Sequence, residues 1–217
     1  MHLSKSAYSN NSFIGLFAKA NNSVALAPHQ AHTKFISSLK DNLSVPVKTL
    51  SISQSNLIGL STVMNSNGIV VQYPMDKEER KILDSIGLPI CKIDGISPAM
   101  NILANDFGCW ISPRVNESTA KRIGECLNVK VHNQPFSIPA LASCTVVTNS
   151  GFLTTSELTE TEIKHLEKIF NVKGGSGTCN LGVPFNSLGV IANSNGALVG
   201  QDTSGFEVQR IYQALNL

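Results

Sequence analysis

Short apolar runs, polar turns and helix-patterned stretches follow one another along this chain in an order that returns five times. The second copy is the clearest. Leu57-Ile58-Gly59-Leu60-Ser61-Thr62-Val63-Met64 is a β-rich run, and Asn65-Ser66-Asn67-Gly68 comes next as a turn whose Asn-Gly pair suits the positive φ angles of a tight hairpin. Ile69 to Gln72 make a second strand, which Pro74 ends. Asp76 and Glu79 stand at capping-box spacing ahead of Ile82, Leu83 and Ile86, the apolar stripe of a helix that Gly87 stops. Leu88 to Ile93 then reads as a third, short strand.

The other copies keep this ββαβ order. Thr159 and Glu162 repeat the cap before the stripe Ile163, Leu166, Ile169 and Phe170, and Ser204 and Glu207 repeat it before Val208, Ile211, Tyr212 and Leu215. Phe35, Ile36 and Leu39 mark the first helix, with Ala120, Ile123 and Leu127 marking the third. An Asn anchors each hairpin at Asn21, Asn65, Asn105, Asn149 and Asn193, with spacings of 44, 40, 44 and 44 residues. An Asn at a strand end tolerates left-handed geometry and bonds its own turn, so these five are expected to be structural.

A unit of this size cannot bury both faces of its sheet alone. The pattern therefore predicts one α/β domain over residues 1–217, with repeats at about 10–52, 53–94, 95–138, 139–182 and 183–217. The fifth repeat lacks a closing strand after its helix. The segment Leu3 to Tyr8, within residues 1–9, is expected to supply it and close a ring, which removes the edges an open array would expose.

The 217 residues are 42% apolar and 15% charged, the composition of a folded protein. A net charge of +2 is too small for sequence-independent binding along nucleic acid, which needs many phosphate-neutralising cations. The opening Met1 to Ser6 lacks the apolar core of a secretory signal and no run has the length of a membrane span, so a cytoplasmic protein is expected. Five Cys, with no CxxC spacing, suggest neither a disulfide framework nor a metal site, and no P-loop or dinucleotide motif calls for a cofactor.

Five ββαβ units of this length resemble the pentein fold, a five-bladed α/β propeller. Within it, three segments resemble the translation initiation factor six family: Ile14 to Asn21, Leu57 to Leu60, and Ala192-Asn193-Ser194-Asn195-Gly196-Ala197-Leu198-Val199-Gly200-Gln201-Asp202-Thr203. The resemblance covers the whole chain, whose length is closer to the archaeal members. It departs at Pro98-Ala99-Met100-Asn101, where the family has a Leu-Gly-Asn sequence. The resemblance implies a protein without catalytic activity or cofactor, a monomer that binds the large ribosomal subunit on its intersubunit face. Its contacts there would be a ribosomal protein and the surroundings of the sarcin-ricin loop, and its presence would prevent joining to the small subunit.

In a ring of like units the loops entering each first strand emerge on one face. Leu16, Leu60, Asn101 and Cys144 occupy that place, four or five positions before the anchors. Leu60, Asn101 and Cys144 are the expected ribosome contacts; the alternative is that they are first-strand packing residues. A rival function comes from pentein enzymes that modify guanidino groups through a Cys nucleophile, a His and carboxylates. Gly174-Gly175-Ser176-Gly177-Thr178-Cys179 is locally similar to their nucleophile approach. His29, His32, His132 and His165 lie outside any Gly-His-x-acid setting, and the glycine cluster reads more simply as a flexible connector.

Overall fold

Each copy of the repeat folds into one small three-stranded sheet with a helix packed on it, and the computed structural model describes residues 3–217. The chain opens with β1 (Leu3–Ser6). Blade one begins with a 3-10 turn (Ile14–Leu16) and continues through β2 (Lys19–Ala20), β3 (Ala25–Pro28), α1 (Thr33–Leu43) and β4 (Val47–Leu50). Blade two holds α2 (Ile58–Ser61), β5 (Thr62–Met64), β6 (Ile69–Gln72), α3 (Lys77–Asp84) and β7 (Ile90–Ile93). Blade three holds α4 (Pro98–Asn101), β8 (Ile102–Ala104), β9 (Cys109–Ile111), α5 (Glu117–Leu127) and β10 (Val131–His132). Blade four has α6 (Leu141–Cys144), β11 (Val146–Val147), β12 (Phe152–Thr154), α7 (Glu160–Phe170) and β13 (Gly174–Ser176). Blade five has α8 (Asn186–Gly189), β14 (Val190–Asn193), β15 (Gly196–Gly200) and α9 (Gly205–Leu215).

In every blade the first two strands form an antiparallel hairpin, and the third lies parallel to the second after the helical crossover, as Thr62↔Val71 and Ile69↔Ile90 illustrate. Blade five takes its third strand from the other end of the chain: β1 runs parallel to β15 with Leu3 opposite Ala197 and Ser6 opposite Gly200. The ring is closed, and the architecture is a five-bladed α/β propeller of the pentein type. The first strands β2, β5, β8, β11 and β14 touch one another around the axis.

The middle strands read as unbroken apolar runs because both of their faces are buried. Ile69 and Val71 pack with Leu26, Leu50 and Leu83, while Val70 between them packs with Ile111, Ile123 and Leu127 of the next blade. Each core therefore lies between two neighbouring sheets, with one helix wedged into it, and no blade owns a core of its own.

The hub is tied by side-chain amides. Asn65 Oδ1 accepts the N–H groups of Asn67 and Gly68 in its own turn, both at 3.0 Å. Its Nδ2 donates to the carbonyls of Asn105 and Leu127 in the next blade, at 3.1 and 2.8 Å. Asn105 donates likewise to Thr148 and Phe170, Asn193 to Asn21 and Leu43, and Asn21 to Asn65. Asn149 does not belong to this set. The fourth turn is held by Thr148, whose Oγ1 accepts from Ser150 and Gly151, while Asn149 pairs with Asp106 through Nδ2 to Oδ2 at 2.6 Å. A hydroxyl can accept the two turn amides as an Asn does, but it is too short to reach the neighbouring blade, so the belt has one open link, between blades four and five.

The capping boxes form at Asp76–Glu79, Thr159–Glu162 and Ser204–Glu207. Their Glu residues also cradle the loop that enters the blade. Glu207, only 5% exposed, accepts from Ser204 N at 2.7 Å, Gly182 N at 2.8 Å, Leu181 N at 3.2 Å and Thr178 Oγ1 at 2.8 Å. Burial alone would raise its pKa, but these donors hold it at about 2, below the ordinary 4.5. A depressed carboxyl contributes stability that is present in full above the unfolded value and is lost as pH falls toward 2. Glu207→Gln is expected to cost about 2 kcal/mol at pH 7 and to flatten the fall in urea midpoint between about pH 4.5 and 2. An unaltered acid profile would contradict this.

Three segments differ from their sequence reading. The Asn65 to Gly68 turn forms without a positive φ at Asn67 or Gly68, and a glycine is needed at 68 because a Cβ there would run into the Cys126 carbonyl. The glycine stretch 174–176 is a strand rather than a connector, because the Phe152 ring lies where a Cβ on Gly174 would sit. The run from Leu57 to Met64 is a helical turn followed by three strand residues rather than a continuous strand.

Candidate interaction face

Those helical turns gather on one face of the ring. The 3-10 turn of blade one, α2, α4, α6 and α8 touch each other in a closed circle around the axis. Their approach is close enough that a Cβ on Gly59 would run into the carbonyl of Gly15, and one on Gly15 into that of Ser187. This backbone contact bends what would be strand into a turn. The interface it creates is rigid, because each turn is braced on both sides by another.

The circle carries apolar side chains that the cores do not absorb. Met100 is 53% exposed, Phe185 41% and Leu57 38%. Leu60 is half-buried beside them. Its carbonyl accepts from Ser97 Oγ at 2.7 Å, and the Ser97 carbonyl accepts from Asn101 Nδ2 at 2.9 Å. Asn101, also half-buried, takes Ser112 N on its own carbonyl at 2.8 Å. Leu60 and Asn101 thus sit on adjacent turns, joined through Ser97.

Cys144 is not on this face as a side chain. It is buried, its carbonyl accepts from Asn186 Nδ2 at 3.1 Å, and burial with the nearby Glu157 pushes its thiol up to about 11. With Thr148 as the true fourth anchor, the repeat equivalent of Leu60 in blade four is Ser143, which is also buried. Blade four gives the face nothing apolar at that place.

The exposed residues Leu57, Met100 and Phe185 were not singled out from sequence. The signal was present in the repeat itself. Eight positions before the anchor stand Phe13, Leu57 and Phe185, and five positions before it stand Leu16, Leu60, Met100 and Leu188. Apolar residues recurring both at the residue before the turn and within it exceed what one core-facing side requires.

Cys179 lies elsewhere and has no activating partner. Its Sγ stands 3.8 Å from the Val183 carbonyl, and burial, aided by Glu207, pushes the thiol up to about 12. Two histidines are engaged away from it: His32 Nδ1 caps α1 by accepting from Lys34 N, and His165 contacts Gln134 and the Phe136 ring. The arrangement presents an apolar face and a rigid frame.

The model of the eIF-6 family matches residues 3–214. Translation initiation factor 6 of Thermoplasma acidophilum is 34% identical over 214 residues, covering 98% of this chain and 99% of that protein. The protein of the same name from Picrophilus torridus is 36% identical over 211 residues, covering 95% and 96%. The structure described as DDAH from Pseudomonas aeruginosa, complexed with citrulline, superposes at a TM-score of 0.48 with 10% identity, covering 94% of this chain and 73% of that one, too distant to bear on chemistry. From the match along nearly its whole length and these full-coverage relatives, the chain belongs to the eIF-6 family.

Proposed function

We propose that this protein binds the large ribosomal subunit through the circle of helical turns and, by covering part of the intersubunit surface, keeps the small subunit from joining. The observation that carries the reading is the set of exposed apolar side chains Leu57, Met100 and Phe185, with Leu60 and Asn101 among them, on one braced face of a member of a translation initiation factor family. Apolar anchors on a rigid frame lose little conformational entropy on docking. The small net charge favours a contact dominated by a ribosomal protein, close to the sarcin-ricin loop, over one with extended RNA. The protein acts as a cytoplasmic monomer, by obstruction, without cofactor or bond-making. A guanidino-modifying reaction at Cys179 is disfavoured by a thiol kept protonated in an interior site.

Sucrose-gradient sedimentation of isolated subunits tests this. The protein is expected to comigrate with the large subunit and to deplete joined ribosomes, and Asn101→Glu to weaken comigration roughly tenfold while the ring stays folded, its melting temperature falling by only about 2–4 °C for the lost Nδ2 bond to the Ser97 carbonyl. Sedimentation of the wild-type protein free of the large subunit would overturn the reading.

A further inference from the structure

The hub itself contains a charged group that belongs neither to the cores nor to the interaction face. The first strands pair on one side only, with their hairpin partners, and contact one another in a closed circle at the hub. Between them lies a cavity of about 40 Å³. Two positions before the anchors its wall carries Val63, Leu103, Val146 and Ile191, and in blade one, at the same position, Lys19.

Lys19 is the one charged residue on that wall. Among the described residues the ion pairs are Arg80 with Asp84 and Lys173 with Glu167, so the Lys19 ammonium has no carboxylate. Burial lowers its pKa from 10.5 to about 8, the direction expected of a cation without a counter-charge. At neutral pH it is still protonated. A cation held inside a ring in this way is costly unless something compensates it.

Compensation by a small anion fits the surroundings. Each first strand is the edge of its sheet, so its ladder leaves backbone N–H groups unpaired on the side away from its hairpin partner, and residues of all five first strands line the cavity. The Thr145 and Thr154 hydroxyls share a single 2.9 Å bond, which leaves one of their two protons unused, and Thr145 is on the cavity wall. Lys19 as a residue is half-buried, which leaves an ion a way in. The volume admits about three waters or one small ion, and excludes a phosphorylated metabolite. We propose that the axial cavity is a binding site for a small monovalent anion of the halide class, held against the Lys19 ammonium at the hub. Such an ion would neutralise the one cation facing the axis and link blade one to its neighbours, a role independent of ribosome binding.

Bromide is the probe. Crystals grown in sodium bromide are expected to give an anomalous peak in the axial cavity at hydrogen-bonding distance from Lys19 Nζ. In solution, replacing sodium gluconate by sodium bromide at equal ionic strength is expected to raise the melting temperature by about 3 °C once bromide reaches tenfold over its Kd. Lys19→Met should abolish that shift. An empty cavity in the anomalous map, or an equal halide response from Lys19→Met, would overturn the proposal. Should Lys19→Met fail to fold, the wild-type map decides alone.

Discussion

A chain lacking residues 1–8 is expected to melt roughly 10 °C or more below the full protein. The reason is that β1 completes blade five. Its loss opens the parallel ladder along β15 from Ala197 to Gly200 and strips Leu3 from the core formed with Leu153, Val199 and Leu215. It also removes Tyr8, which stacks on Phe17 at 4.1 Å and meets Phe35 edge-on at 5.4 Å. Two apolar side chains and a ladder together are worth about 5 kcal/mol. Because every core is shared by two sheets, the damage does not stay in blade five: the core around α1 contains Leu198 and Ile191 of blade five. Thermal melts by circular dichroism measure the effect, and an unchanged midpoint would mean that the terminus contributes nothing to closure.

Replacing Leu57 and Met100 together by Glu is expected to weaken large-subunit binding by about 100-fold or more. Both side chains stand out from turns whose backbone is braced, so charge there does not disturb any core. Each would instead place an ionised group where an apolar contact is required, and the desolvation cost falls on the complex alone. The melting temperature of the double variant should stay close to wild type. Binding that survives at full strength would place the docking surface on another part of the ring, and a collapsed melting temperature would show these residues to be packing elements.

Much of this architecture was legible in the sequence because it rests on short-range chemistry. The position of the Asn65 to Gly68 turn, though not its backbone angles, the capping boxes at Asp76, Thr159 and Ser204 and the stripes of α1, α5, α7 and α9 are each settled within a few residues of chain. Closure was legible too, since a repeat lacking a strand and a terminus carrying a spare one are both visible without coordinates.

What escaped depended on partners distant in sequence. The turn at Ile58–Ser61 looks like strand until Gly15 is placed against Gly59. Asn149 has the right residue type and a plausible spacing, and only hydrogen bonding shows that Thr148 holds the turn. Gly174 reads as a flexible link until Phe152 lies over it. Cys144 and Asn101 stand at equivalent places, four residues before Thr148 and Asn105, yet one is buried and one half-exposed, a difference no reading of a single repeat contains.

By itself the sequence determined the unit, its fivefold repetition and the way the chain meets itself, since hairpin turns, caps and apolar periods act through neighbouring residues. Only the tertiary structure decided which apolar side chains remain uncovered, which amides tie one blade to the next and that Lys19 faces the axis. Those depend on how five nearly equal sheets share cores across their boundaries, and a pattern read one repeat at a time contains no information about the repeat beside it.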